Sequence, residues 1–252
     1  MKTILITGAS SGIGCALAKI YAENSHNLVL VARREEKLKD LKEELEKKYS
    51  ISVIIEVMDL SKKENLEILS LKYKNIDVLI NNAGLGQYGK FDSYNLETDI
   101  SMINLNILTP IILTKFFAKS MKSGSKIINI ASTAGFQPVP LMAIYSATKS
   151  FIVDFTLAIQ REYSNINISL FCPGETQTEF QQVAKRPKSS ALRGYIPTAE
   201  EVELAIRAVS AFGLPYAGVD IIASNKGPLV LEVNPSPGFG IQEVSDTDIT
   251  AE

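Results

Sequence analysis

Short apolar runs rich in β-branched residues (3–7, 27–32, 52–58) alternate along this chain with longer amphipathic stretches (15–24, 35–49). The short runs are apolar at both odd and even positions, as strands covered on both faces must be, while the longer stretches repeat at the period of a helix. The rhythm continues through further runs at 78–81, 126–131 and 167–172. Successive βαβ units of this kind predict an α/β fold, a doubly wound parallel sheet of Rossmann type with helices on both faces. The stretch 37–48 carries acidic and basic residues at helical spacing and is read as a solvated helix face.

From about Arg186 the pattern changes. Pro187, Gly194 and Pro197 mark a loop, 199–212 reads as a helix, and 218–224 and 228–233 read as two strands joined by Asn225-Lys226-Gly227. An Asn/Gly turn between two such runs suits an antiparallel hairpin. The expected organisation is a sheet domain over 1–198 followed by a helix plus β-hairpin appendage over 199–252.

Composition narrows the function. A chain of 252 residues with 46% hydrophobic content can bury a large core. The formal net charge is -2 with both signs interspersed, so neither nucleic acid nor an anionic membrane is an expected partner. The two cysteines, Cys15 and Cys172, lie in apolar neighbourhoods and read as reduced packing residues of a cytoplasmic protein. The single histidine, His26, falls in a polar turn, so a Ser-His-Asp hydrolase would have to be built on a loop residue. The start lacks a long apolar segment and no apolar run approaches about 18 residues, so neither export nor a membrane span is expected.

The first chemistry stands between the first strand and first helix, in Thr7-Gly8-Ala9-Ser10-Ser11-Gly12-Ile13-Gly14. Glycines there let a pyrophosphate approach backbone N–H groups at a helix N-terminus. The second strand ends Val31-Ala32-Arg33-Arg34, where a site gripping a free ribose hydroxyl would carry an acid. Arg33 and Arg34 instead suit a 2′-phosphate, which favours NADP(H) over NAD(H). Asp59-Leu60 follows the third strand, as an adenine neighbour or as a cap on a helix near Ser61. Asn82, Ala83 and Gly84 follow the fourth with side chains small enough for the backbone to pass close to the adenine ribose.

The second chemistry is Tyr145-Ser146-Ala147-Thr148-Lys149, with Ser132 upstream at the end of an apolar run. Residues four apart on a helix share a face, so Lys149 can stand beside Tyr145. Free tyrosine titrates near pH ~10, and a neighbouring cation would favour its phenolate. An isolated Tyr-x-x-x-Lys pair is more often a core-edge tyrosine with a solvated lysine. Together with the glycine-rich turn it indicates a nucleotide-dependent redox enzyme.

Over about residues 1–212 these pieces, with Asn104 in Ile103-Asn104-Leu105 and Pro173-Gly174 followed by Thr178, resemble the short-chain dehydrogenase/reductase family in order and spacing. The resemblance implies Tyr145 as general acid/base, Lys149 lowering its pKa and binding the nicotinamide ribose, and Ser132 holding the carbonyl oxygen. Asn104 would hold a relay water, with Asn106 the weaker candidate, and Pro173, Gly174 and Thr178 would border the nicotinamide. A loop over 175–197 would cover a small carbonyl or alcohol substrate. Phe136, Pro138, Val139, Pro140, Leu141, Met142 and Phe180 suggest an apolar wall for it. A homodimer or homotetramer is the expected assembly.

The tail departs from that family. Its segments 205–208, 217–221 and 227–238 resemble the C-terminal end of ATP-grasp carboxylate-amine ligases, particularly glutamate ligases that modify a ribosomal protein. That resemblance maps magnesium ligands onto Glu232 and Asn234, with Asp220 nearby. The nucleotide-gripping domains of such a ligase have no counterpart in the rest of the sequence. Two rivals to a reductase therefore stand: an ATP-dependent ligase, revealed by magnesium-dependent ADP release, and a nucleotide-binding module without turnover.

Overall fold

The computed structural model describes residues 1–174, 176, 178–185, 198, 204–205, 218–224 and 227–234, the last two stretches as backbone. In chain order the elements are β1 (Thr3–Thr7), α1 (Gly12–Glu23), β2 (Asn27–Ala32), α2 (Glu35–Lys48), β3 (Val53–Val57), α3 (Lys63–Lys72), β4 (Val78–Asn81), α4 (Leu96–Ile103), α5 (Thr109–Ser120), β5 (Lys126–Ile130), α6 (Ala143–Glu162), β6 (Asn167–Phe171) and α7 (Phe180–Val183). The six strands form one parallel sheet in the order β3-β2-β1-β4-β5-β6.

Strand alternation divides the core between the two faces. Ile4, Ile6, Leu28 and Leu30 meet Leu17 of α1 and Leu38, Leu41 and Leu45 of α2. Leu5, Val29, Val31 and Leu79 point the other way, onto Leu66 and Leu69 of α3, Leu113 and Phe117 of α5, and Ile159 of α6. From β1 the chain winds outward to β3, then crosses to β4 on the other flank of β1. That reversal opens a crevice at the C-terminal ends of β1 and β4, where a doubly wound sheet binds its ligand.

A chain of buried amides ties the central strands to the helices behind them. Asn81 Nδ2 donates to Asn129 Oδ1 at 2.8 Å and to Thr114 Oγ1 at 3.1 Å, and Asn129 Nδ2 donates to Thr156 Oγ1 at 2.9 Å. Each of these polar side chains thus has a partner inside the core.

Helices α4 and α5 are continuous through a π turn, Asn104–Leu108, closed by a bond from the Thr109 N–H back to the Asn104 carbonyl. The whole helix, Leu96–Ser120, is long and apolar enough by length and composition to cross a membrane, which the run-length reading did not anticipate. Here its Leu113 and Phe117 are fully buried in the sheet core.

The expected hairpin is present as β7 (Gly218–Ser224) and β8 (Gly227–Asn234), antiparallel, with a register slip between Asp220 and Ile221. Asp220 pairs with Glu232, and Asn234 with Gly218. The side chains of the metal candidates Asp220, Glu232 and Asn234 lie outside the described residues. So does the expected helix over 199–212, apart from a helical Leu204–Ala205.

Candidate functional site

The glycine-rich turn leaves β1 through Gly8, whose φ of +68° favours a residue without Cβ. The turn packs so tightly on α1 that a Cβ on Gly14 would lie 2.5 Å from the Gly8 carbonyl oxygen. Asn82 clamps the same turn, its Nδ2 donating to the carbonyls of Thr7 (2.9 Å) and Gly8 (3.2 Å). The Thr7 hydroxyl accepts from the N–H groups of Asn82 (2.9 Å) and Ala83 (3.0 Å) and donates to the Ile80 carbonyl at 3.2 Å. Asn82 therefore shapes the turn.

The crevice opens into a cavity of about 530 Å³. Its walls bring together Gly8, Ser10, Ser11, Gly12, Ile13, Arg33, Arg34, Asp59, Leu60, Asn82, Ala83, Gly84, Ser132, Tyr145, Lys149, Pro173, Gly174 and Thr178. Among the candidate catalytic and cofactor-binding residues of the sheet domain, Gly14, beneath the turn, and both relay candidates, Asn104 and Asn106, do not line it.

At one end Arg34 spreads over the turn. Its Nε and Nη2 donate to Ser10 Oγ at 3.1 and 3.0 Å, Nη2 also donates to Ser11 Oγ at 2.6 Å, and Nη1 reaches Glu179 Oε2 at 2.5 Å. Lys37 pairs with the other oxygen of Glu179. Hydrogen bonds from Lys37 and Arg34 hold the Glu179 carboxyl down at about 2. Arg33 acts on Asp59 instead, whose carboxylate accepts from the Ser61 N–H at 3.1 Å and hydroxyl at 2.8 Å. Asp59 thus makes a local turn onto Ser61, two residues before α3 begins.

The other end is built by α6. It runs so close to the 3-10 turn Thr133–Gly135 that a Cβ on Gly135 would lie 2.9 Å from the Lys149 carbonyl. This approach sets Ser132, which opens that turn, in hydrogen-bonding reach of the Tyr145 hydroxyl. The Ser132 oxygen also accepts from the Ala134 N–H at 3.1 Å, so its turn-forming role and its place in the site coexist. One helical turn on, Lys149 Nζ donates to the Ile130 carbonyl at 3.0 Å and lies 5.8 Å from the Tyr145 ring centroid.

Burial governs both titrations. It pushes the Tyr145 phenol up to about 12, opposed by the Ser132 hydrogen bond. It pushes Lys149 down to about 8, opposed by Cys172. The expectation that Lys149 holds the Tyr145 pKa low is therefore not what this geometry gives. The ammonium points to a backbone carbonyl, and desolvation of the phenolate is the larger effect.

The asparagine facing these groups is Asn106. The π turn directs it inward, where it is buried, its Oδ1 accepting from Leu85 N–H at 2.8 Å and its Nδ2 donating to the Leu85 carbonyl (2.9 Å) and to Thr148 Oγ1 (3.0 Å). A Cβ on Gly84 would lie 3.5 Å from Asn106 Oδ1 and 3.6 Å from Lys149 Nζ, so these groups share one corner. Asn104 is half-buried away from it, its carbonyl accepting from the Thr109 hydroxyl.

Of the expected apolar wall, Val139, Met142 and Phe180 line the cavity. Phe180 covers Tyr145 with ring centroids 5.1 Å apart. Phe136 and Leu141 are exposed, and Pro138 and Pro140 also lie off the cavity. Thr178 meets the glycine turn, where a Cβ on Gly12 would lie 3.0 Å from its methyl. Glu179 was passed over by sequence reasoning, since its partners Arg34 and Lys37 stand 145 and 142 residues away.

A family model described as short chain dehydrogenase matches residues 2–189, and one for a RimK-like ATP-grasp domain matches 188–252. An NADP-dependent 3-hydroxy acid dehydrogenase of Schizosaccharomyces pombe is 37% identical over 192 residues, 72% of this chain and 74% of that protein. With several other curated relatives the match spans only 60 to 62% of their length. Among solved structures, a short-chain dehydrogenase from Sphingobium yanoikuyae in complex with NADPH aligns with a TM-score of 0.78 at 30% identity, over 84% of this chain and 85% of that one. The bulky-bulky ketone specific alcohol dehydrogenase from Comamonas testosteroni aligns at 0.73 and 28% identity, over 84% and 83%. With its strand order, glycine turn and Ser132, Tyr145 and Lys149 around one cavity, this chain belongs to the short chain dehydrogenase family.

Proposed function

We propose that the protein is an NADP(H)-dependent oxidoreductase that moves a hydride between the nicotinamide and an apolar carbonyl or alcohol compound, with Tyr145 as the general acid/base. The observation that carries this reading is one continuous cavity running from the glycine turn and Arg34 to the buried group of Ser132, Tyr145 and Lys149. The cofactor supplies or accepts the hydride. It fits the residues present: a turn whose glycines clear space beside backbone N–H groups, and a guanidinium seated on two serine hydroxyls at the end of β2. The NADPH bound to the Sphingobium relative and the NADP dependence named for the S. pombe relative support the phosphorylated form.

The chain's own residues do the rest. Ser132 and Tyr145 orient the substrate oxygen through their hydroxyls. Tyr145 keeps its proton through neutral pH because burial raises its pKa, which suits it to donate to the oxygen of a carbonyl undergoing reduction. Lys149 holds positive charge beside that exchange, and Asn106 fixes Leu85 and Thr148 around it. Leu85, Val139, Met142 and Phe180 exclude water and favour an apolar substrate.

The test is a panel of apolar ketones and aldehydes with NADPH and with NADH, followed by absorbance, alongside Tyr145→Phe. Removing only the hydroxyl should leave NADPH binding intact and lower turnover by about 100-fold or more. Unchanged turnover in that variant would overturn the acid/base assignment.

A further inference from the structure

We propose that Glu179 is a specificity-determining residue that competes with the 2′-phosphate of NADP(H) for Arg34 and Lys37. The proposal rests on the NADP(H) reading above. Arg34 lies two residues past the end of β2, where a doubly wound sheet meets the adenosine ribose, and its fork is pinned by Ser10 and Ser11. Two of its nitrogens are committed to those serine hydroxyls, and Nη1 turns to Glu179. Lys37, in the first turn of α2, takes the second carboxylate oxygen.

Arg34, Lys37 and the serine hydroxyls thus form a cradle for an oxyanion, and the chain fills it with a carboxylate of its own. A phosphate ester needs the same Nη1 and Nζ donors, so the two anions exclude each other by charge as well as by space. Glu179 stays ionised through the working pH range because those cations hold its pKa far down, so the competition has no neutral escape. A cofactor without the 2′-phosphate leaves the pair undisturbed. Glu179 therefore narrows the preference for NADP(H) that Arg34 creates.

The experiment measures dissociation constants of NADPH and NADH by fluorescence for the wild type, Glu179→Gln, Arg34→Ala and the double variant. Glutamine keeps the size and removes the charge. Two exposed ion pairs predict that Glu179→Gln tightens NADPH by about three- to ten-fold, with NADH changed by less than about two-fold. The gain should shrink on the Arg34→Ala background, where only Lys37 is left to contest, which a general effect of the substitution on folding would not produce. NADPH affinity that is unchanged or weakened, or a gain shared equally by NADH, overturns the proposal while leaving the cofactor reading standing. If Arg34→Ala costs NADPH no more than NADH, the cofactor reading fails and takes the proposal with it.

Discussion

Asn106 Nδ2 donates to Thr148 Oγ1 at 3.0 Å, joining the π turn to α6 across 42 residues of sequence. The same side chain closes both backbone groups of Leu85, so three segments around Lys149 meet on one amide. Asn106→Ala removes the partner of both half-buried backbone groups of Leu85, while Thr148 keeps its bond to the Tyr145 carbonyl, and each lost partner costs about 1–3 kcal/mol. The variant should melt well below the wild type in a thermal scan and lose turnover by at least about tenfold. Asn104→Ala should stay within about threefold of wild-type turnover. The reverse order would return the inward position to Asn104.

Gly135 lets α6 come within backbone contact of the turn after β5. A methyl group there meets the Lys149 carbonyl at 2.9 Å, backbone that cannot swing aside like a flexible side chain, so the helix or the turn must move. Gly135→Ala should cost about 1–3 kcal/mol as an overpacked site. Because Ser132 opens that turn, kcat should fall more than cofactor affinity does. A variant with normal melting and normal kcat would show that the spacing there is unimportant.

Lys149 makes alkaline stability depend on its own burial. Its pKa is lowered to about 8 from 10.5, so between those values the unfolded chain binds a proton that the folded chain does not, and the contribution to stability rises with pH. Below about 8 the fold carries the full penalty of a buried ammonium. In Lys149→Met that dependence is gone, so any advantage of the variant in melting temperature should shrink from pH 8 toward 10.5. Tyr21 and Tyr145, both pushed up to about 12 by burial, act oppositely: stability is lost as pH rises above 10. A gap between wild type and variant that stays constant from pH 7 to 10 would refute the buried charge.

Asn129 stands at the middle of the amide chain in the sheet, accepting from Asn81 and donating to Thr156. Asn129→Leu removes one buried bond from each partner, Asn81 keeping Thr114 and Thr156 keeping the Ile152 carbonyl, and should destabilise by about 1–3 kcal/mol, read from denaturant midpoints. Activity at low temperature should survive, since the residue makes no contact with the cavity.

What the sequence made legible followed from periodicity. Strand boundaries emerged to within a residue or two because apolar runs at both parities have few other uses, and Tyr145 with Lys149 share a face by helical spacing alone. The choice between Asn104 and Asn106 was not legible in that way, because a π turn adds a residue to the helix and rotates which side chains face inward. The direction of the Tyr145 pKa is illegible in sequence for a similar reason. Spacing gives the neighbour, but only the surrounding packing says that burial outweighs it. Glu179 left no local signal, since its partners belong to the opposite end of the dinucleotide-binding unit.

Thr7 makes no statement of its own in the sequence, yet its single hydroxyl stitches the ends of β1 and β4 through three backbone groups. The width of the ligand crevice is thereby a fixed gauge, with no sliding joint between the two strands that frame it. Valine would match threonine in shape and strand preference and still unfasten that gauge. A residue that need never touch a ligand can in this way decide whether one fits.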